Sequence, residues 1–133
     1  MNKIIYWFLF LISVLILLVN FGIGLMAMSI IIIPVLGLHI YNGINLDKIK
    51  DYKIAVLASS VNFLLFVLIR PDGVHSLNEN GLSSFLSLFH INFGYNKNLE
   101  NFSFFTSIIL LFTQLFIEIK LRRMVKRSEI IAH

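Results

Sequence analysis

The stretch "IAVLASSVNFLLFVLI" (residues 54–69) decides how the rest of the chain is read. It holds no charged residue, and Lys53 and Arg70 close it at either end. Ala55, Ala58, Ser59 and Asn62 recur at i, i+3, i+4 and i+7, so small and polar side chains share one helical face. That is the packing face of a membrane helix: small residues let backbones approach, and polar ones hydrogen-bond across the contact.

Three further runs carry the same message. They are "IIYWFLFLISVLILLVN" (4–20), "LMAMSIIIIPVLGLHIY" (25–41) and "FFTSIILLFTQLFIEI" (104–119). With 16 or 17 residues each, the four runs make roughly 24–26 Å of helix, slightly short of a hydrocarbon core of about 30 Å. Lys3, Lys53, Arg70 and Lys120 flank them and can extend to the headgroups. Composition agrees. Apolar residues make up 58% of the 133-residue chain and charged ones 14%, with a mean hydropathy of +0.87. A water-soluble core of this size cannot enclose that much apolar surface, whereas a bilayer can. The first run is read as a retained helix, since "MNK" is a minimal n-region and no small-x-small site follows it.

The expected fold class is an all-α integral membrane protein. Four transmembrane helices form two hairpins in one domain over 1–133, with spans at about 4–20, 25–41, 54–69 and 104–120. Asn20 and "FGIG" (21–24) turn the chain between the first two, and "NGINLDKIKDYK" (42–53) joins the second to the third. Pro34 and Gly37 are expected to bend the second helix. Lys3, the lysines at 48, 50 and 53, and the basic residues Lys120, Arg122, Arg123, Lys126 and Arg127 fall on one side, with Arg70 and Lys97 on the other. That bias places both ends of the chain in the cytoplasm and the protein in the inner membrane. The tail 121–133 then becomes a basic anchor for anionic headgroups, and the net charge of +4 signals a membrane surface, not nucleic acid.

Between the third and fourth spans lies an outer loop, 70–103. Its opening, "RPDGVHSLNENG" (70–81), combines a turn signature with a capping box at Ser76 and Glu79. Leu82, Phe85, Leu86 and Phe89 then recur at i, i+3, i+4 and i+7, which predicts a short amphipathic helix. Asp72, His75, Glu79 and His90 can be drawn as a metal set, or with a serine as a triad, but turn and cap chemistry accounts for the opening cluster. No catalytic, cofactor or metal residue is therefore assigned. Asp72, His75, Phe85, Phe89 and His90 stand as contact residues of the outer loop.

Within the spans, Ser13, Ala55, Ala58, Ser59, Asn62, Thr113 and Gln114 are the helix-packing candidates. Asn62 and Gln114 sit at similar depth and are expected to hydrogen-bond across the third and fourth helices. Glu118 is placed near the cytoplasmic end, four residues before Arg122 in the favoured order for a helical ion pair, and His39 lies near the same end. On that placement no ionisable group reaches mid-membrane, which argues against a proton-coupled exporter of the small multidrug type. In size, span number and basic face the chain is loosely similar to immunity proteins against pore-forming toxins and to accessory subunits of larger complexes, an analogy of architecture alone. The function expected is non-enzymatic: contact with a membrane or extracytoplasmic protein, or with itself, through the helices or the outer loop. The alternative is an oligomeric pore or carrier for a neutral or lipid-like solute. The chain has no cysteine, which excludes disulfides and thiol chemistry.

Overall fold

The computed structural model describes residues 3–19, 22–71, 80–91 and 97–131. It is all-helical. Helix α1 spans Lys3–Val19 and α2 Ile23–Ile44; a 3₁₀ stretch, Leu46–Tyr52, leads into α3, Lys53–Ile69; α4 spans Gly81–Ser87 and α5 Lys97–Ile131. Helices α2, over Leu25–Ile44, and α5, over Asn101–Ile130, are long and apolar enough to cross a membrane, while α1 and α3 are shorter apolar helices of 17 residues each.

Local chemistry sets these boundaries. Helix α2 continues unbroken through Pro34, and Asn45 closes it by donating from Nδ2 to the Tyr41 carbonyl at 2.9 Å. Pro34 and Gly37 both face outward. Helix α5 begins well inside the segment read as loop and runs on through the basic tail. No glycine or proline interrupts residues 97–131, so nothing stops the helix once it has started. The helix expected over residues 82–89 is present as α4, but its capping box is Asn80 with Ser83: Ser83 N–H donates to Asn80 Oδ1 at 2.8 Å, and Asn80 N–H donates to Ser83 Oγ at 2.9 Å. Ser76 and Glu79 lie outside the described residues.

Helix α3 packs against α1 and α5, and α5 against α2, whereas α1 and α2 scarcely touch. Close approach between α1 and α2 occurs at Gly43, where a Cβ would stand 2.6 Å from Tyr6 Cε1 and 2.9 Å from Trp7 Cζ2. The long α5 also folds its basic portion against the 3₁₀ stretch. Leu121 and Val125 are buried with Ile49, Val56 and Tyr6, and Lys48 bonds Glu129 at 2.5 Å. Arg70, expected at the headgroups, is fully buried at the end of α3. There the chain returns against its backbone, with Gly81 N–H donating to the Arg70 carbonyl at 3.0 Å and Pro71 bridging Asn80.

Two apolar clusters fill the bundle. One gathers Ile16, Leu17, Leu25, Ile32, Val35, Phe63, Phe66, Val67 and Leu111; the other gathers Tyr6, Ile49, Val56, Leu121 and Val125. Along each of α2, α3 and α5 a polar segment lies between the two. His39 and Asn42 supply it from α2, Ser59 from α3, and Gln114 and Glu118 from α5. The outward faces are apolar: Ile30 is 82% exposed, Ile54 85% and Phe116 68%.

Candidate functional site: a buried polar layer around Glu118

Every side chain of this layer is placed by helical spacing. His39 and Asn42 are one turn apart on α2, and Gln114 and Glu118 one turn apart on α5, so each pair shares a face. Ser59 meets them from α3. The carboxylate of Glu118 is the hub. Its Oε1 accepts from Ser59 Oγ at 2.5 Å and from Gln114 Nε2 at 2.7 Å, and stands 2.6 Å from His39 Nδ1. Its Oε2 accepts from Asn42 Nδ2 at 2.6 Å, and the same amide reaches the Glu118 carbonyl at 3.1 Å.

The network extends along α3 and α5. Gln114 Nε2 also reaches Ser59 Oγ at 3.0 Å, and Gln114 Oε1 accepts from Asn62 Nδ2 at 2.8 Å. Asn62 donates as well to the Leu110 carbonyl at 2.9 Å. The two residues that the sequence places at equal depth are thus joined. From α1, Tyr6 donates to the His39 carbonyl at 2.8 Å. Tyr6 stacks on the imidazole at 4.5 Å between centroids, and Phe10 stacks on it at 5.0 Å. All four long helices therefore hold the layer. Every side chain in contact with Glu118 is fully buried, so these bonds act in a low-dielectric interior where a lost partner is costly.

The position of Glu118 corrects the sequence reading. It is turned into the bundle, and Arg122 is exposed with its guanidinium 6.0 Å above the Tyr41 ring. The i,i+4 spacing favours an ion pair only when both residues face solvent. Here the same spacing toward the N-terminus, to Gln114, sets the partner. Glu118 and His39 are both fully buried between the helices. The signal was available: Ser107, Gln114 and Glu118 fall near one stripe of α5, and all three are buried.

The remaining candidates divide. Ser13 is buried but bonds its own helix, at the Leu9 carbonyl, 2.8 Å. Ala55 is half-buried against the cluster of Tyr6 and Val56, while Ala58 and Thr113 face outward. Phe85 falls within α4 and Phe89 is exposed just after it. His90 ends that helix with φ of 60°, a left-handed C′ residue: its N–H donates to Ser87 and that of Ile91 to Leu86, at 3.0 and 3.2 Å, the paired bonds of a Schellman motif. Asp72 and His75 lie outside the described residues. Lys120, Arg122, Arg123, Lys126 and Arg127 are exposed on α5.

Chemically, the layer is closed on itself. Ser59 gives its hydrogen to Glu118, not to a histidine nitrogen placed as a base, so it is not arranged as an activated nucleophile. Two polar atoms, His39 Nε2 and Asn42 Oδ1, meet no hydrogen-bond partner among the described residues. A cleft of about 450 Å³ opens between α1 and α2, lined by residues such as Leu17, Leu18, Leu25, Ile32 and Leu36. No protein-family model matches the chain, and no curated protein or solved structure does.

Proposed function

We propose that this chain is a multi-pass protein of the inner membrane, with α1, α2, α3 and the apolar part of α5 as its four spans and both ends of the chain cytoplasmic. It acts without chemistry of its own, by contact with another membrane or extracytoplasmic protein, as an accessory subunit or immunity-type protein does. One observation carries the reading: the bundle encloses a fully buried polar layer while large apolar side chains cover its outward faces. A water-soluble bundle of this size buries its large apolar side chains and exposes its carboxylates. Here Glu118 and His39 are fully buried while Ile30, Ile54 and Phe116 are mostly exposed. Lipid is the solvent that such a surface suits, and Lys3 and Lys53 lie at the cytoplasmic ends of the two shorter helices, where they can reach headgroups.

The contact reading is supported by the saturated Glu118 carboxylate, which stiffens a scaffold, and by the exposed Leu88, Phe89 and Ile91 that follow α4. The test is purification of the tagged chain from its native membranes in mild detergent, with residues 80–91 intact or replaced by a Gly-Ser linker. A stoichiometric protein partner lost with the replacement is the expected result. Self-association alone, in several detergents, would count against it.

A second reading, a carrier for a neutral or lipid-like solute, is favoured by the apolar cleft between α1 and α2 and by the two partnerless polar atoms in α2. Intramembrane ionisable groups are frequent on transport pathways. Solute flux in proteoliposomes that disappears in a folded Glu118→Gln variant would support this reading over the first.

A further inference from the structure

The basic residues of α5 are not equivalent. Arg122, Arg123 and Lys126 line one cleft of about 260 Å³ together with Ile119. Lys120 and Arg127 do not line it. At the same end of the bundle, two other lysines already have carboxylate partners: Lys3 with Asp47 at 3.5 Å and Lys48 with Glu129 at 2.5 Å. Among the described residues, Arg122, Arg123 and Lys126 make no such pair. Three like charges within two turns repel one another, and an anion in the cleft would relieve all three.

What the anion is attached to follows from the rest of the column. Phe112, Phe116, Ile119, Arg123 and Lys126 succeed one another at steps of four, three, four and three residues, along one outward face of α5. Phe112, Phe116 and Ile119 are exposed at 55%, 68% and 37%. The charged cleft therefore continues directly into an apolar strip running toward the other end of the bundle. A soluble acidic peptide would match the cations and leave the strip unused. A phospholipid matches both.

We propose that Arg122, Arg123 and Lys126 form a discrete seat for one anionic phospholipid, best filled by a headgroup bearing two phosphates, with an acyl chain along Ile119, Phe116 and Phe112. This rests on the membrane reading above and deepens it from general headgroup attraction to a stoichiometric site. Guanidinium groups suit it because they bind phosphate in bidentate fashion, and basic clefts at the cytoplasmic ends of membrane helices are recurrent phospholipid sites.

The test uses the full chain in phosphatidylcholine vesicles containing either cardiolipin or twice the mole fraction of phosphatidylglycerol, so that surface charge is equal. Carbonate-resistant insertion is checked first. Lipid retained per chain is then read by native mass spectrometry after detergent extraction. The seat predicts one cardiolipin per chain, retained in preference to phosphatidylglycerol. Arg122→Gln with Lys126→Gln is expected to weaken retention by about 25-fold, about fivefold for each cation removed. Lys120→Gln with Arg127→Gln is expected to change it little. Retention that follows surface charge alone, equal loss in both double variants, or displacement of the lipid by a glutamate-rich peptide would overturn the proposal. A chain that fails to insert would overturn the membrane reading itself, whereas an inserted chain with no lipid preference removes only the seat.

Discussion

Replacing Glu118 by leucine removes the acceptor at the centre of the polar layer. Four side-chain donors lose it: Ser59, Gln114, His39 and Asn42. In membrane proteins an interhelical hydrogen bond averages about 0.6 kcal/mol and reaches about 1.7, so four such bonds amount to roughly 2–3 kcal/mol. Leaving a buried polar group without its hydrogen-bond partner costs about 1–3 kcal/mol. Partial rescue is built in, because Gln114 can keep Ser59 at 3.0 Å and Ser59 stands 3.3 Å from His39. The expected loss is therefore about 3 kcal/mol, or about 10 °C in Tm for a chain of this length. Trp7, the one tryptophan, reports on it directly. Its ring lies 5.8 Å from that of Tyr6 and 5.7 Å from that of Phe10, and both of those stack on His39. Thermal unfolding in mild detergent, followed by Trp7 fluorescence, measures the shift. Combining Glu118→Leu with His39→Leu should cost less than the sum of the single changes by at least about 1 kcal/mol, since the stranded imidazole goes too. A shift under about 2 °C for Glu118→Leu, or strict additivity with His39→Leu, would refute the layer as the bundle's tie.

Other substitutions probe the surrounding packing. Asn62→Leu loses the bonds to Gln114 and Leu110 but not the hub, so it should destabilise by about 1 kcal/mol; a loss as large as that of Glu118→Leu would reverse the ranking. Gly43→Ala drives a methyl against Tyr6, which its own bond to the His39 carbonyl holds in place. A loss of about 1–3 kcal/mol is expected by the same fluorescence assay, and an unchanged midpoint would show that α1 and α2 separate freely there. At Gly81 a Cβ would collide with the Val67 backbone carbonyl. Gly81→Ala should therefore release α4, seen as faster hydrogen exchange across 80–91 with little change in α5. His90→Gly, at a left-handed exposed position, should be neutral or stabilising by up to about 1 kcal/mol; marked destabilisation would mean that the imidazole itself matters.

Much of the helical layout was legible because its causes are local. Uninterrupted apolar runs locate α1, α2 and α3 within a few residues, and the i, i+3, i+4, i+7 pattern of Leu82 to Phe89 locates α4. The start of α5 was missed for a local reason too: "YNKNLEN" (95–101) is polar and aperiodic, yet nothing in Lys97–Ile131 breaks a helix. The polar layer was half legible. Asn62 and Gln114 share a depth, and that is visible in one dimension. His39, Asn42 and Glu118 meet only because α2 and α5 pack side by side, and the neighbour in sequence, Arg122, offered Glu118 a simpler partner. Arg70 reads as a headgroup residue because it follows an apolar run; its burial depends on the chain returning at Asn80 and Gly81, a tertiary event with no periodic signature.

The arrangement of spans can be tested directly, because the chain has no cysteine and any single introduced thiol is unique. Lys48→Cys, Phe89→Cys and Arg127→Cys place one on the 3₁₀ stretch, one after α4 and one on the basic end of α5. A membrane-impermeant maleimide applied to intact spheroplasts, and again after lysis, reads the side of each. Four spans with cytoplasmic ends predict labelling at position 89 in intact spheroplasts, and at 48 and 127 only after lysis. Labelling of 89 and 127 from the same side, or recovery of the protein in the soluble fraction, would contradict it.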